Sequence, residues 1–447
     1  MFTRVNNKDQ GMLAKSVKLL LVSTSIIVYS TFLRAENLDL VVFKTLASHP
    51  EIRAEINRKT ARDQELKQAQ AGYYPRVDLQ AGVGYENSKN RFTRATGETD
   101  YVDLTRKEEA FIVTYNLFEG YGTSSNIDKN NARVRAASHH LHDLTEQTAL
   151  QVAKVYLRVM RDQQLIKLSQ DTLTVYRQLF EKVKARSSSG VGRKSDIDQA
   201  QGRLARAQAN LISDMASLEN AMVTYLRVTG ERPGELKMPE DFAPRLPANL
   251  ELAVKLALNN NPVIKAAEAD LEAATAQTRM AKSDYYPRLD LVFEQSRGEN
   301  LDGIDGVEKD YSLMLKMNYN LFNGGFDAAD SKRAISQLGE TRDRLDDIRR
   351  SISEAVRLAW NSNDAVVMQY PYLRQHVESI AEIRTAYADQ FRIGQRSLLD
   401  LLDSENELYQ AHRALIIAEY DRLVGGYQIL ASMGRFVDEL EAGSVSN

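Results

Sequence analysis

Arg396, Asp400 and Asp403, with Asp196 at a matching place earlier in the chain, make the strongest case for chemistry. Gly190 and Gly394 each stand six residues before Asp196 and Asp400. On a helix, Asp400 and Asp403 share one face one turn apart, which concentrates negative charge. A solvated helix start explains the same aspartates, because a carboxylate there complements the helix dipole. Other candidates are weaker. Ser189-Gly190-Val191-Gly192-Arg193-Lys194-Ser195 has the end of a phosphate loop but lacks its first glycine, contains an intruding arginine and follows a helical pattern. Gly82-Val83-Gly84 sits within a strand pattern and lacks the third glycine of a dinucleotide fingerprint. His139, His140 and His142 diverge around a helix, so a solvated face accounts for them better than a metal site. No nucleophile motif or cofactor fingerprint remains, and no enzyme activity or cofactor is expected. With no cysteine, disulfides, thiolate sites and a lipid-anchored amino-terminal cysteine are excluded.

The elements that carry these residues are duplicated. Tyr73-Tyr74-Pro75-Arg76 returns as Tyr285-Tyr286-Pro287-Arg288, and Tyr115-Asn116-Leu117-Phe118 returns as Tyr319-Asn320-Leu321-Phe322. Each Tyr-Tyr-Pro-Arg lies where a helical pattern stops before a proline and an alternating strand pattern begins. Val77, Leu79, Ala81, Val83 and Tyr85 alternate with polar residues, as do Phe111, Val113, Tyr115 and Leu117. In the second copy Leu313, Leu315, Met317, Tyr319 and Leu321 are expected to face lipid, with Ser312, Lys316, Asn318 and Asn320 toward a lumen. The tyrosines Tyr73, Tyr74, Tyr115, Tyr285, Tyr286 and Tyr319 suit a membrane-interface girdle.

The expected layout is a signal peptide at 1–35, a first repeat at 36–230 with its strand hairpin at 76–118, and a Pro-rich linker at 231–248. A second repeat at 249–434, with its hairpin at 288–322, and a tail at 435–447 follow. Residues 87–107 and 297–309 read as polar loops. Asn37 to Gly72 reads as helical, and each copy then has a helix of about 60 residues, near 90 Å long. The leader has a basic start and an apolar run from Leu19 to Tyr29, too short to span a bilayer as a helix; Met12 is an alternative start. Removing its net +4 from the chain's −3 leaves −7, which gives no reason to expect nucleic-acid binding. In the last helix, Leu402, Tyr409, Ile416, Leu423 and Leu430 recur at sevens beside a second stripe, which suits a helix flanked by two neighbours. Trp360 is expected to be packing. Four strands cannot close a membrane barrel, which starts at about eight. Either other copies complete the sheet, or the chain is a soluble helical scaffold or a periplasmic enzyme.

This duplicated order of helix, strand pair and long helix, with its tyrosine-rich junctions, resembles the TolC-type outer-membrane export duct family across nearly the whole mature chain. The resemblance implies a mainly α fold with a β-barrel portion, in which three chains share a twelve-stranded outer-membrane barrel above a hollow periplasmic cylinder of helices. It implies a homotrimer in outer-membrane lipid, a periplasmic adaptor, and an inner-membrane ABC transporter or, alternatively, a proton-driven pump. The missing cysteine tilts the reading to unlipidated, type I protein-secreting ducts over drug efflux. Phe391 to Asp403 falls on the family's periplasmic entrance motif, though the family often has tyrosine at Phe391. Three chains would then stack Asp400 and Asp403 as two carboxylate rings that favour cations. Arg396 is expected to offset the repulsion by pairing with Asp196.

Overall fold

The computed structural model describes residues 36–189, 193–239, 241 and 245–445, so the leader and Gly190 lie outside the described residues. In chain order the elements are α1 (Leu38–Ser48), α2 (Pro50–Ala71), β1 (Arg76–Ser88), α3 (Arg91–Ala95), β2 (Val102–Glu119), α4 (Gly122–Ser188), α5 (Lys194–Thr229), α6 (Leu250–Asn260), α7 (Pro262–Met280), β3 (Arg288–Glu299), β4 (Val307–Asn318), α8 (Phe326–Arg392), α9 (Leu398–Ser432) and α10 (Phe436–Val445).

Proline sets the first break in each copy. Pro50 and Pro262 occupy the first helical position, where a missing N–H costs nothing, and the residue before each is held with ψ near 127°. The stretch expected as one helical run from Asn37 to Gly72 is therefore two helices. The long helices α4 and α8 each have 67 residues, about 100 Å. The chain enters α4 through Gly120 at φ +61°, where an added Cβ would stand 2.4 Å from the Ser283 carbonyl, so only glycine fits.

The four strands form one antiparallel sheet in the order β1-β2-β3-β4, and the β2–β3 pairing joins the two copies. Paired residues share a face, and Val77, Val113, Phe293 and Leu313 form one row, with Tyr115, Leu291 and Leu315 in the next. The apolar alternation expected of Leu313, Leu315 and Met317 is thus continuous across the sheet. Tyr319 and Leu321 depart from it, because β4 ends at Asn318. A bulge between Asn116 and Phe118 leaves Leu117 unpaired and brings Phe118, not Leu117, opposite Leu289. The expected loops are shorter than read: β1 runs to Ser88, β2 begins at Val102, and β3 and β4 reach Glu299 and Val307.

Across the upper wall the helices stand in the order α2, α4, α7, α8, and across the lower wall α5, α4, α9, α8. The central core includes Leu38, Tyr156, Tyr225, Ala253, Val356, Tyr427 and Phe436, with Trp360 packed on it. The linker is pinned there: Glu36 bridges Leu236, and the Tyr156 hydroxyl accepts the Lys237 N–H at 2.9 Å. Residues 435–447, read as a tail, instead contain α10, whose Phe436 and Leu440 are fully buried. The buried Glu146 carboxylate accepts the N–H groups of Phe436 and Val437 at 2.9 and 3.1 Å, capping α10. Burial pushes this carboxyl up to about 7, against the lowering effect of the two N–H bonds. No helix among the described residues is long and apolar enough to cross a membrane.

Candidate entrance at the helical tips and the aromatic collar

The second tip is built by two local rules. Gly394 at φ +80° ends α8, with its N–H on the Phe391 carbonyl at 3.1 Å and the Gln395 N–H on the Gln390 carbonyl at 2.9 Å. Ser397 then caps α9, its Oγ accepting the Asp400 N–H at 3.1 Å and donating to Asp400 Oδ2 at 2.8 Å. Asp400 is thereby fixed in the first turn of α9. Beneath it, Tyr176, Leu179 and Val183 of α4, Ala200 and Ala207 of α5, and Leu398, Leu401 and Leu402 of α9 form a separate core, with Tyr387 and Phe391 against it. Helices of both copies therefore meet within one chain.

The charges pair differently from expectation. Arg396 lies over the Tyr387 ring, 4.0 Å from its centroid, with Nη1 3.9 Å from Asp400 Oδ2. Its Nε is buried without a partner. Asp196 lines the same cleft of about 470 Å³, with Arg186, Arg193 and Phe391, but forms no ion pair with Arg396. Within the chain, closing α8 at Gly394 folds Arg396 back onto α8 and one turn before Asp400. Asp403 is held by Arg203 of α5, Nη2 to Oδ1 at 2.5 Å. Phe391 has no hydroxyl and packs under Arg186 at 5.1 Å, while Tyr387, one turn earlier, carries a phenol.

Sequence reasoning missed Arg203, Tyr387 and Ser397. Ser397 three residues before Asp400 was readable as a cap, and Arg203 lies seven residues past Asp196 on the same helical face. No spacing rule links Tyr387 to Arg396 across a turn. Above the tip, Asp214 ties three helices: it accepts from Ser169 Oγ of α4 at 2.5 Å and Arg413 Nη1 of α9 at 2.9 Å, and Tyr409 Oη lies 3.1 Å from Ser169. Burial pushes the nearby Glu405 carboxyl up, against its 2.6 Å pair with Arg384.

At the other end of the helices, Tyr73, Tyr74, Tyr115, Tyr285, Tyr286 and Tyr319 are all exposed where the sheet begins. Tyr286 meets Phe118 and Tyr121 edge to face at 6.3 Å, which adds Tyr121 to the expected girdle. His142 Nε2 lies 3.8 Å from Glu146, and His140 lines a cleft with Asp270.

Residues 41–231 and 253–435, the two copies, match the family model described as outer membrane efflux protein. The chain belongs to that family. The chain is 24% identical over 440 residues to the outer membrane protein TolC of Escherichia coli, covering 94% of this chain and 86% of TolC. It is 25% identical over 392 residues to the alkaline protease secretion protein AprF of Pseudomonas aeruginosa, covering 85% of this chain and 80% of AprF. The solved outer membrane protein VceC of Vibrio cholerae shares its fold, with a TM-score of 0.78 at 17% identity over 89% of this chain and 96% of VceC. The chain resides in the outer membrane and extends into the periplasm. Family and fold are those of channels.

Proposed function

We propose that three copies of the chain form one passive duct, in which the four strands of each close a shared barrel and the helices form the periplasmic cylinder. The observation that carries this is the open sheet. Both faces of β4 and nearly all of β1 are exposed, and two unpaired edges cannot stand in lipid without partners. The helical wall has matching open flanks, with Ile212, Met215 and Val223 exposed on α5 and Leu358, Met368 and Tyr372 on α8. Asp400 and Asp403 would ring the narrow periplasmic entrance, steadied by Arg396 on Tyr387 and by Arg203. A periplasmic adaptor would engage these tips, and an inner-membrane ABC transporter would supply the energy; a proton-driven pump is the alternative. The absent lipid-anchored cysteine and the likeness to AprF support type I protein secretion, whereas the family's description favours small-molecule efflux as the second reading.

Heat-modifiable migration of detergent-extracted outer membrane tests the assembly, and recovery wholly in the soluble fraction would end the proposal. Deleting the gene and comparing the secreted proteome with drug sensitivity tests the cargo. Unchanged secretion with lost resistance would favour efflux.

A further inference from the structure

The register fixes which side chains share the apolar face from the collar to the far loops. Met317 pairs with Leu289, Leu315 with Leu291 and Tyr115, Leu313 with Phe293 and Val113, and Tyr311 with Gln295 and Phe111. The next row is different: Lys309 stands directly opposite Arg297, with Glu109 beyond, and one row further Lys107 stands opposite Glu299. Alternation points all of these the same way as Leu315. The helices leave the sheet at its Arg76, Glu119, Arg288 and Asn318 end, so on β2 and β3 this charged row closes the outer end of the apolar band, while the edge strands carry apolar residues further, at Val83 and Tyr85 of β1 and Val307 of β4.

Two like charges directly opposite on a sheet repel. Lys309 and Arg297 are both exposed, and neither has an ion-pair partner among the described residues, although Glu109 is the register neighbour of Arg297. Lys107 is held by Glu299 at 3.0 Å. A cation pair on a lipid-facing surface, just beyond an apolar and aromatic band, is complementary to an anionic headgroup whose chains lie along that band. Arginine offers a planar fork to phosphate oxygens and lysine a point charge.

We propose that Lys309 and Arg297 bind a phosphate of an outer-leaflet, lipid A-type glycolipid, whose acyl chains lie against Leu313, Leu315 and Phe293. The site takes its lipid-facing side from the duct reading. The bound phosphate removes the repulsion across the β3–β4 pair at the level where the barrel leaves the hydrocarbon.

Native mass spectrometry of the full, detergent-extracted assembly tests this, with bisphosphorylated lipid A, dephosphorylated lipid A and phosphatidylglycerol as probes. Bisphosphorylated lipid A should be retained best, and the double variant Arg297→Gln with Lys309→Gln should weaken its retention about tenfold, as lost hydrogen bonds to a charged group do. Glu109→Gln should strengthen retention, which guards against reading a folding defect as lost binding. Unchanged retention by the double variant, or equal retention of phosphatidylglycerol, would overturn the site while the trimer mass in the same spectrum still supports the duct. A spectrum of monomers alone would overturn both.

Discussion

The sheet end and the helical tip resolve burial in opposite ways. At the tip, Leu401 and Leu402 are buried within one chain, and the charges Asp400, Asp403 and Arg203 sit outside. In the sheet, Leu79, Leu313 and Leu315 are 64–79% exposed, and buried Asp290 lies on the other face, paired with Arg288 at 2.9 Å. The tip can be stable as a single chain; the sheet is complete only with lipid outside and more strands at its edges. In the proposed duct one chain thus carries two solvents' rules, and the collar of tyrosines would mark where one gives way to the other.

The sharpest break in this contrast should come from Leu402→Ala, which removes a fully buried side chain from the tip core and should cost about 2–5 kcal/mol. Hydrogen exchange should rise in α4, α5 and α9 around the tip while the sheet keeps its protection. Spread of the loss into the sheet would mean the two ends are not independent. Next, Leu315→Arg should cost about 2–4 kcal/mol per chain near the bilayer middle, and Asn318→Arg far less. Equal loss of assembled trimer for the two would show that the facing is wrong.

A smaller effect concerns α10. Because folding raises the Glu146 carboxyl from its ordinary 4.5 to about 7, the folded state holds a proton that the unfolded state has released between those values. Docking of α10 should therefore be tightest below about pH 4.5 and lose that contribution progressively as pH rises to about 7. Exchange in residues 436–445, corrected for the intrinsic pH dependence, should follow this course, and Glu146→Gln should flatten it; a course unaltered in the variant would exclude Glu146 as the cause. The smallest energies are at the gate. An Arg over a tyrosine ring is worth about 0.5–1 kcal/mol at an exposed site, yet in the proposed trimer three would act on one aperture. Arg396→Ser should raise single-channel conductance, whereas Asp196→Asn should not, and the reverse order would restore the pairing that the tip geometry lacks.

The duplicated scaffold was legible because its boundaries are chemical: Pro75 and Pro287 stand just before β1 and β3, Gly394 turns a helix, and alternation marks the strands. The early start of β2 at Val102 was not, since beyond the apolar band Asp103, Thr105, Arg106 and Lys107 keep the backbone ladder with polar side chains on both faces. The entrance was half legible. Local spacing locates Asp400 and Asp403, but the stacking of Arg396 on Tyr387 is not legible, because it depends on how the chain reverses at Gly394. The α10 helix was hidden for a related reason, its cap being supplied from α4 by Glu146, 290 residues away from Phe436.

The central claim is that the chain forms a conducting passage whose narrow end is set by Asp400 and Asp403, and single-channel recording in planar bilayers tests it most directly. Assembled wild-type protein should conduct with a preference for cations, and Asp400→Ala with Asp403→Ala, which also leaves Arg203 unpaired, should lower that preference and relieve block by trivalent cations while conduction persists. An assembled trimer that does not conduct, or a double variant with undiminished cation selectivity, would contradict the account.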